Sequence, residues 1–375
     1  MGATGEKAAM KTTARFQAAG LLPRLTRIVA AAATLLLLTH GATLAQAPSF
    51  SGKTITVIVG ATPGGSTDVT ARLVAPYIAK NLPGNPAAVV QNRPGASGLT
   101  ALNVFAQQVQ PDGLTMIIAS GSQIDPINYR VPQSHYDPST FGIVGGIGIG
   151  GSIILIHNTA LPRLTNKSAA PVVMATISGM PRSGMQMAAW GADYLGWNIK
   201  WITGYRGNPE LMLAFERGEV DMTSFATTTL KPALFDKDKF SILYQSGSNA
   251  ATVPTNMPAL KGIPLLTGAV KDKITDPLAR QAFAYWQNIS SINNWIALPP
   301  KTPGAVVGTF RAAFLKAVED PDFLAQAAKM GDDVSIVPPA DMEGVIKTLA
   351  DLPPEALVYM KRMLARQGLN LEESR

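Results

Sequence analysis

From Pro48 onward the chain alternates two hydrophobic periods, and this restricts its fold more than any other feature. Short β-branched runs alternate with segments whose apolar residues fall three and four apart. That is the pattern of an α/β protein with mainly parallel sheets and crossover helices. Residues 55–60 read as a strand ending at Pro63-Gly64-Gly65. A helix follows, with Val69, Leu73 and Tyr77 in one stripe and Val74 and Ile78 beside it, facing a sheet. Pro76 falls inside that helix and predicts a kink costing about 3 kcal/mol unless packing compensates. Residues 88–91 read as the second strand, Leu99, Leu102, Phe105, Ala106 and Val109 as the next helical stripe, and residues 115–120 as the third strand.

A second α/β unit begins near Ser152, with strands expected at 152–157, 172–176, 198–203, 220–223 and 240–245 and helices at 184–195 and 209–217. The uncharged run 141–156 has 16 residues, six of them glycine. It falls short of the roughly 20 apolar residues of a spanning helix and reads as two buried strands joined by a Gly-rich bend. A Pro- and Gly-rich crossing segment at 252–264 leads to a strand at 294–298, and then to helices broken at Pro321, Gly331, Pro338-Pro339 and Pro353-Pro354. Two such units predict two lobes, 48–152 plus 285–375 and 153–284, with a ligand cleft between them as in a hinged receptor.

The N-terminus reads as a targeting segment. Lys7, Lys11, Arg15, Arg24 and Arg27 precede an apolar run of 11 residues, 28–38, and small residues continue to Ala47, the order of a secretory signal. Cleavage is expected after Ala45, with Ala47 as the other position; an uncut membrane anchor is the competing reading. Without residues 1–45 the chain keeps 27 Lys+Arg against 24 Asp+Glu, a net charge of +3 in place of +7. No stretch concentrates cations among aromatics, so nucleic acid is not an expected partner. The chain has no cysteine, which excludes thiol nucleophiles, thiolate zinc sites and Fe–S clusters.

The strongest local feature is Thr62-Pro63-Gly64-Gly65-Ser66-Thr67-Asp68, between a strand and an amphipathic helix. Gly64 and Gly65 permit positive φ and close approach, Ser66 or Thr67 can cap the helix, and first-turn amides face any anion there. An ordinary capped turn with Asp68 complementing the helix dipole is the alternative. The chain carries no GxxxxGK[ST], GxSxG or HExxH motif. His135 and His157 read as hydrogen-bonded or solvated residues, so no catalytic residue, metal site or cofactor is expected.

The segments ITVIVGATPGGSTDVTARLVAPYI and QNRPGASGLTALNVFAQQVQPDGLTMIIAS resemble the first lobe of the tripartite tricarboxylate transporter substrate-binding proteins, the TctC/Bug family of periplasmic receptors. The PGGxxD turn, NRPGAxG and PDGxT stand in that family's order, and GYRGNPELMLAFERGEVDM and WIALPPKTPGAVVGTFRAAFLKAVEDPDF extend the likeness over nearly the whole chain. The resemblance implies a type II periplasmic-binding fold that holds a small carboxylate, delivered as a monomeric receptor to the large and small integral-membrane transporter subunits. Carried over by position, the ligand site takes Thr62, Gly64, Gly65, Ser66, Thr67 and Asp68 from the first turn, and Ser120, Gly121, Ser122 and Gln123 from the loop after the third strand. From the second lobe it takes Ser178, Gly179, Ser183 and Tyr205, the last equally readable as a packing aromatic. The family's GSSGxGSxxH turn is here Thr176-Ile177-Ser178-Gly179-Met180-Pro181-Arg182-Ser183-Gly184-Met185-Gln186. Arg182 is therefore expected either to grip a carboxylate or to lie on a solvated loop. A sensory adaptor for a membrane signalling kinase is the alternative function.

Overall fold

The computed structural model describes residues 48–149, 151–177, 183–246, 257–290, 292–329 and 334–369. Strands β1 (Thr54–Val59), β2 (Ala87–Asn92) and β3 (Thr115–Ser120) pair in parallel, with Val57 opposite both Val90 and Met116. Their side chains alternate as the pleat requires. Ile55, Val57, Val59, Met116 and Ile118 enter one apolar cluster, whereas Ile58, Ile117 and Ala119 enter another on the opposite face. Two helices, α1 (Ser66–Lys80) and α2 (Leu99–Gln108), form the crossovers. The buried face of α1 is Ala71, Val74, Ala75 and Ile78. Leu73 and Tyr77, expected at the centre of the stripe, are half-buried at its margin, where Tyr77 meets Phe323 edge-on. Helix α1 continues past Pro76, with Ala75 and Ile78 fully buried on either side.

The remaining strands are β4 (Gly142–Ile149), β5 (Ser152–His157), β6 (Val172–Ile177), β7 (Ile199–Tyr205), β8 (Met222–Ala226), β9 (Phe240–Gln245), β10 (Asn294–Leu298) and β11 (Val334–Val337). They complete a six-stranded sheet of order β11-β4-β10-β3-β1-β2 and a five-stranded sheet of order β7-β6-β8-β5-β9. The two-sheet α/β architecture agrees with the sequence reading, but the sheets are mixed rather than mainly parallel. Among the described residues, β1–β2, β1–β3, β6–β7 and β6–β8 are parallel, while β3–β10, β4–β10, β4–β11, β5–β8 and β5–β9 are antiparallel. Parallel pairs need a helical crossover on the same sheet. β10 instead arrives after the chain has passed through the second sheet and runs the opposite way. β11, in a region expected to be helical, is a four-residue edge strand whose partner β4 lies nearly two hundred residues earlier.

Helices α3 (Pro126–Tyr129), α4 (Ser183–Tyr194) and α5 (Asn208–Glu216) lie near the site, followed by α6 (Leu266–Val270), α7 (Pro277–Ser290), α8 (Gly304–Val318), α9 (Pro321–Lys329), α10 (Pro339–Ala350) and α11 (Pro354–Arg366). One core packs α1 and α8 on the first sheet through Val74, Ile78, Phe310 and Phe314. Another packs α5 on the second sheet through Ile153, Leu155, Leu211 and Phe215. The largest joins Ile58 and Ile117 of the first sheet to Ile154 and Met174 of the second, around Trp190, Trp286 and Trp295. No described helix is long and apolar enough to cross a membrane.

Candidate functional site

The turn after β1 is built by its own hydrogen bonds. Gly65 N–H donates to Thr62 O at 3.0 Å, and Gly64 N–H donates to Asp68 Oδ2 at 2.8 Å. Gly64 has φ +76°, a conformation that glycine adopts without strain. Gly65 does not need that freedom, because its φ is −72°. Its constraint is space, since a Cβ there would sit 3.1 Å from Thr62 O. Gly65 is also the N-cap of α1, and no side chain caps that end. This corrects the expectation that Ser66 or Thr67 would do so, and it leaves the first-turn amides available to another acceptor.

Asp68, expected at the ligand, is turned into the protein. Its carboxylate accepts from Arg72 Nε at 3.0 Å, from Asn92 Nδ2 at 2.8 Å and from Gly64 N–H, and it lines neither cavity described below. Burial works to raise its pKa, but the hydrogen bonds from Arg72, Gly64 and Asn92 outweigh it and hold the carboxyl below its ordinary value. Asp68 thus shapes the turn by tying it to α1 and β2.

The loop after β3 divides in the same way. Ser120 Oγ accepts from Ser122 N–H at 3.3 Å, and Gln123 Oε1 accepts from Ser120 N–H at 2.8 Å, a reciprocal cap. Gln123 Nε2 donates to Ser97 O at 2.6 Å, and a Cβ on Gly98 would lie 1.8 Å from that nitrogen. Gly121 N–H donates to Asn293 O at 2.8 Å. Gln123 and Gly121 therefore hold the loop, while Ser120 and Ser122 line a cavity.

Two adjoining cavities occupy the space between the sheets. A polar one of about 120 Å³ is lined by Ser66, Ser120, Ser122, Asp125, Gln186, Asn208, Ser224 and Asn294, among others, and no described Lys or Arg lines it. A larger one of about 380 Å³ is lined by Thr62, Gly65, Ser66, Thr67, Tyr205, Arg206 and Asn208, with Pro94 to Ser97 opposite. Ser66, Ile177 and Asn208 line both. Ser66 opens α1 and Asn208 opens α5, so the positive ends of two helices from different sheets meet where the cavities join. Here the sheets touch, and a Cβ on Gly207 would be 2.2 Å from Thr62 Oγ1. Tyr205 is half-buried, and burial with nearby Glu219 and Glu210 raises its pKa. The guanidinium of Arg206 pairs with Glu210 at 3.4 Å on the exposed side.

Of the expected site residues, the structure brings together Thr62, Gly65, Ser66, Thr67, Ser120, Ser122 and Tyr205. Gly64, Asp68, Gly121 and Gln123 act behind them. Ser178, Gly179 and Arg182 lie outside the described residues, as does the side chain of Ser183. His157, expected to be hydrogen-bonded or solvated, places Nε2 2.6 Å from Phe215 O and packs against Phe215 and Phe240.

The sequence reading missed the cluster around Asp125. This residue caps α3, its Oδ1 accepting from Ile127 N–H at 3.0 Å and from Tyr285 OH, its Oδ2 from Gln186 Nε2 at 2.9 Å. It is 1% exposed, and burial pushes its pKa up to about 7 against the opposing pull of Gln186 and Ile127 N–H. Gln186 carried a legible signal, an amide between Met185 and Met187 on the apolar face of α4. Asp125 stands directly before Pro126, the local signal of any helix cap, and nothing near it in sequence marks its burial.

No family model matches the chain. A UPF0065 protein of Bordetella bronchiseptica is 38% identical over 105 residues, 28% of this chain and 30% of that one. Across the curated relatives it matches, the chain spans between 23% and 57% of their length. The structure of the periplasmic binding protein BugD superposes with a TM-score of 0.63 at 19% identity, covering 86% of this chain and 99% of that one. MatC from Rhodopseudomonas palustris, solved with bound malate, gives a TM-score of 0.61 at 18% identity, covering 84% of this chain and 100% of that one. The chain is similar to UPF0065 proteins over part of its length and shares the fold of the periplasmic binding proteins BugD and MatC. At these identities the solved structures speak for the fold alone. Within that fold, the turn shaped by Asp68 and the two helix ends at Ser66 and Asn208 are this chain's own geometry.

Proposed function

We propose that the protein is a periplasmic solute receptor that captures a small organic anion by its carboxylate and performs no chemistry on it. The observation that carries this reading is the convergence of the α1 and α5 N-termini on one space, with Ser66 and Asn208 shared by both cavities. Helix ends and hydroxyls are donors that hold an anion without a counter-ion. The malate in MatC supports the choice of a carboxylate.

In this reading residues 48–152 plus 285–375 form one lobe and 153–284 the other. The anion docks on the uncapped end of α1, and the lobes close until α5 reaches it. Closure replaces water around the carboxylate with fixed dipoles and presents a closed surface to the large and small membrane subunits of a tripartite transporter. The receptor works as a monomer, released to the periplasm after cleavage near Ala45.

Thermal unfolding, followed by the five tryptophans, tests the reading against a panel of mono-, di- and tricarboxylates. A ligand at 100 times its Kd adds about 2.7 kcal/mol. A raised midpoint with one chemical class, and recovery of that ligand intact, is the expected result. A flat response across the panel, in protein freed of co-purified ligand, rejects it.

A further inference from the structure

The helix ends account for an anion, but the polar cavity also displays groups of the opposite character. Asp125 and Gln186 line it, each 1% exposed, and they come from different elements, the cap of α3 and the first turn of α4. The hydrogen bond between them fixes the amide's orientation. Gln186 Nε2 donates to Asp125 Oδ2, as the ionised carboxylate requires, and Oε1 is the atom left over. Among the described residues Gln186 Oε1 has no hydrogen-bond partner, and neither does the buried hydroxyl of Ser224 on β8 in the same cavity. Asp125 accepts from Ile127 N–H, Tyr285 and Gln186, which leaves one of its roughly four acceptor sites.

Buried acceptors without donors cost free energy that a ligand donor recovers. A plain dicarboxylate has no donor to give; it would bring a second row of acceptors against Asp125. Among the described residues no Lys or Arg lines this cavity, and a donor carried by the solute would satisfy these acceptors.

We infer that the solute is a carboxylic acid that also bears a hydrogen-bond donor, a hydroxyl or a protonated amine, and that Asp125, Gln186 and Ser224 receive that donor. This rests on the receptor reading above and narrows it to hydroxy acids and amino acids. The carboxylate binds at the helix ends, and the donor enters the polar cavity between the two sheets. Asp125 and Gln186 then act as specificity residues, because an acid that leaves them unsatisfied loses the bonds that its donor-bearing analogue makes.

The test is calorimetric titration of the full chain with matched sets: succinate, malate and aspartate; glutarate, 2-hydroxyglutarate and glutamate; propionate, lactate and alanine. In at least one set the hydroxy or amino member should bind about tenfold or more tighter than the plain acid, the size expected for one hydrogen bond to a charged group. Which member wins identifies the donor. The ratio within that set should fall toward one in Asp125→Asn, Gln186→Leu and Ser224→Ala. The Ser224 hydroxyl makes no hydrogen bond to the described residues, so Ser224→Ala keeps the test decisive if Asp125→Asn does not fold. Plain acids that bind as tightly as their partners overturn the inference and leave the receptor reading standing. A ratio unchanged in the folded variants overturns it as well. Binding by none of the nine acids overturns the inference, and the receptor reading is then decided by the wider thermal panel of mono-, di- and tricarboxylates.

Discussion

Gly207 offers the sharpest test of closure, because replacing it by alanine strains only the state in which the two sheets touch. Its φ is −177°, extended backbone that alanine adopts freely, so the substitution has no local cost. The added Cβ, however, would lie 2.2 Å from Thr62 Oγ1, 3.0 Å from Cγ2 and 3.1 Å from Cβ. All three are inside the 3.5–4.0 Å of ordinary contact, and rotating the hydroxyl away leaves the other two. Overpacking of this kind costs about 1–3 kcal/mol. If ligand-free protein opens between Thr62 and Gly207, that strain falls on the bound state alone, and affinity drops about 5- to 150-fold. The thermal midpoint of the ligand-free variant should stay within about 2 °C of the parent. Titration of the best ligand from the panel measures the loss, and Thr62→Ala in the same chain should recover most of it by removing the two closest contacts. Unchanged affinity in Gly207→Ala, or an equal destabilisation with and without ligand, would refute closure at this contact.

Two further outcomes follow from the buried carboxylates. Asp68→Asn should lower the midpoint at neutral pH by roughly 4 °C, for a loss of about 2 kcal/mol in charge-assisted hydrogen bonds, and weaken binding through the loosened turn. Because the folded pKa of Asp68 is depressed, its contribution is present above the ordinary carboxyl range and is lost as pH falls through the folded value. Parent and variant should therefore converge in acid, as denaturant titrations at several pH values will show. Asp125 has the opposite sign: its pKa is raised from 3.8 to about 7, so its contribution is fully present below 3.8 and is lost as pH rises through about 7. Tyr285 donates to it, and Tyr129 and Tyr136 stand near it. Relative to Asp125→Asn, ligand-free protein should lose at most about 4 kcal/mol across that window; a parallel pH dependence of the two would refute the assignment.

Much of this was legible in the sequence because short-range periodicity reports on local structure. Strands 115–120, 152–157, 240–245 and 294–298 have the expected bounds, since β-branched runs flanked by turn residues carry their own boundaries. The Pro63-Gly64-Gly65 turn and the helix it opens were equally plain, as was the return of the chain to a late strand at 294–298. Even so, periodicity says that a residue is on a face and not what the face meets. The helical stripe centred on Leu73 was displaced toward Ala71 and Ala75 because α8 packs there.

What only the tertiary structure decided depends on residues far apart in the chain. Strand direction in the mixed sheets, and the pairing of β11 with β4, follow from where a segment arrives after visiting the other sheet. The direction of Asp68 was set by Asn92, 24 positions on, and the burial of Asp125 by Gln186 and Tyr285, 61 and 160 positions on. A side chain's identity states which bonds it can make. Its role at a site is set by which partners the fold brings within 3 Å, and local sequence holds no record of them.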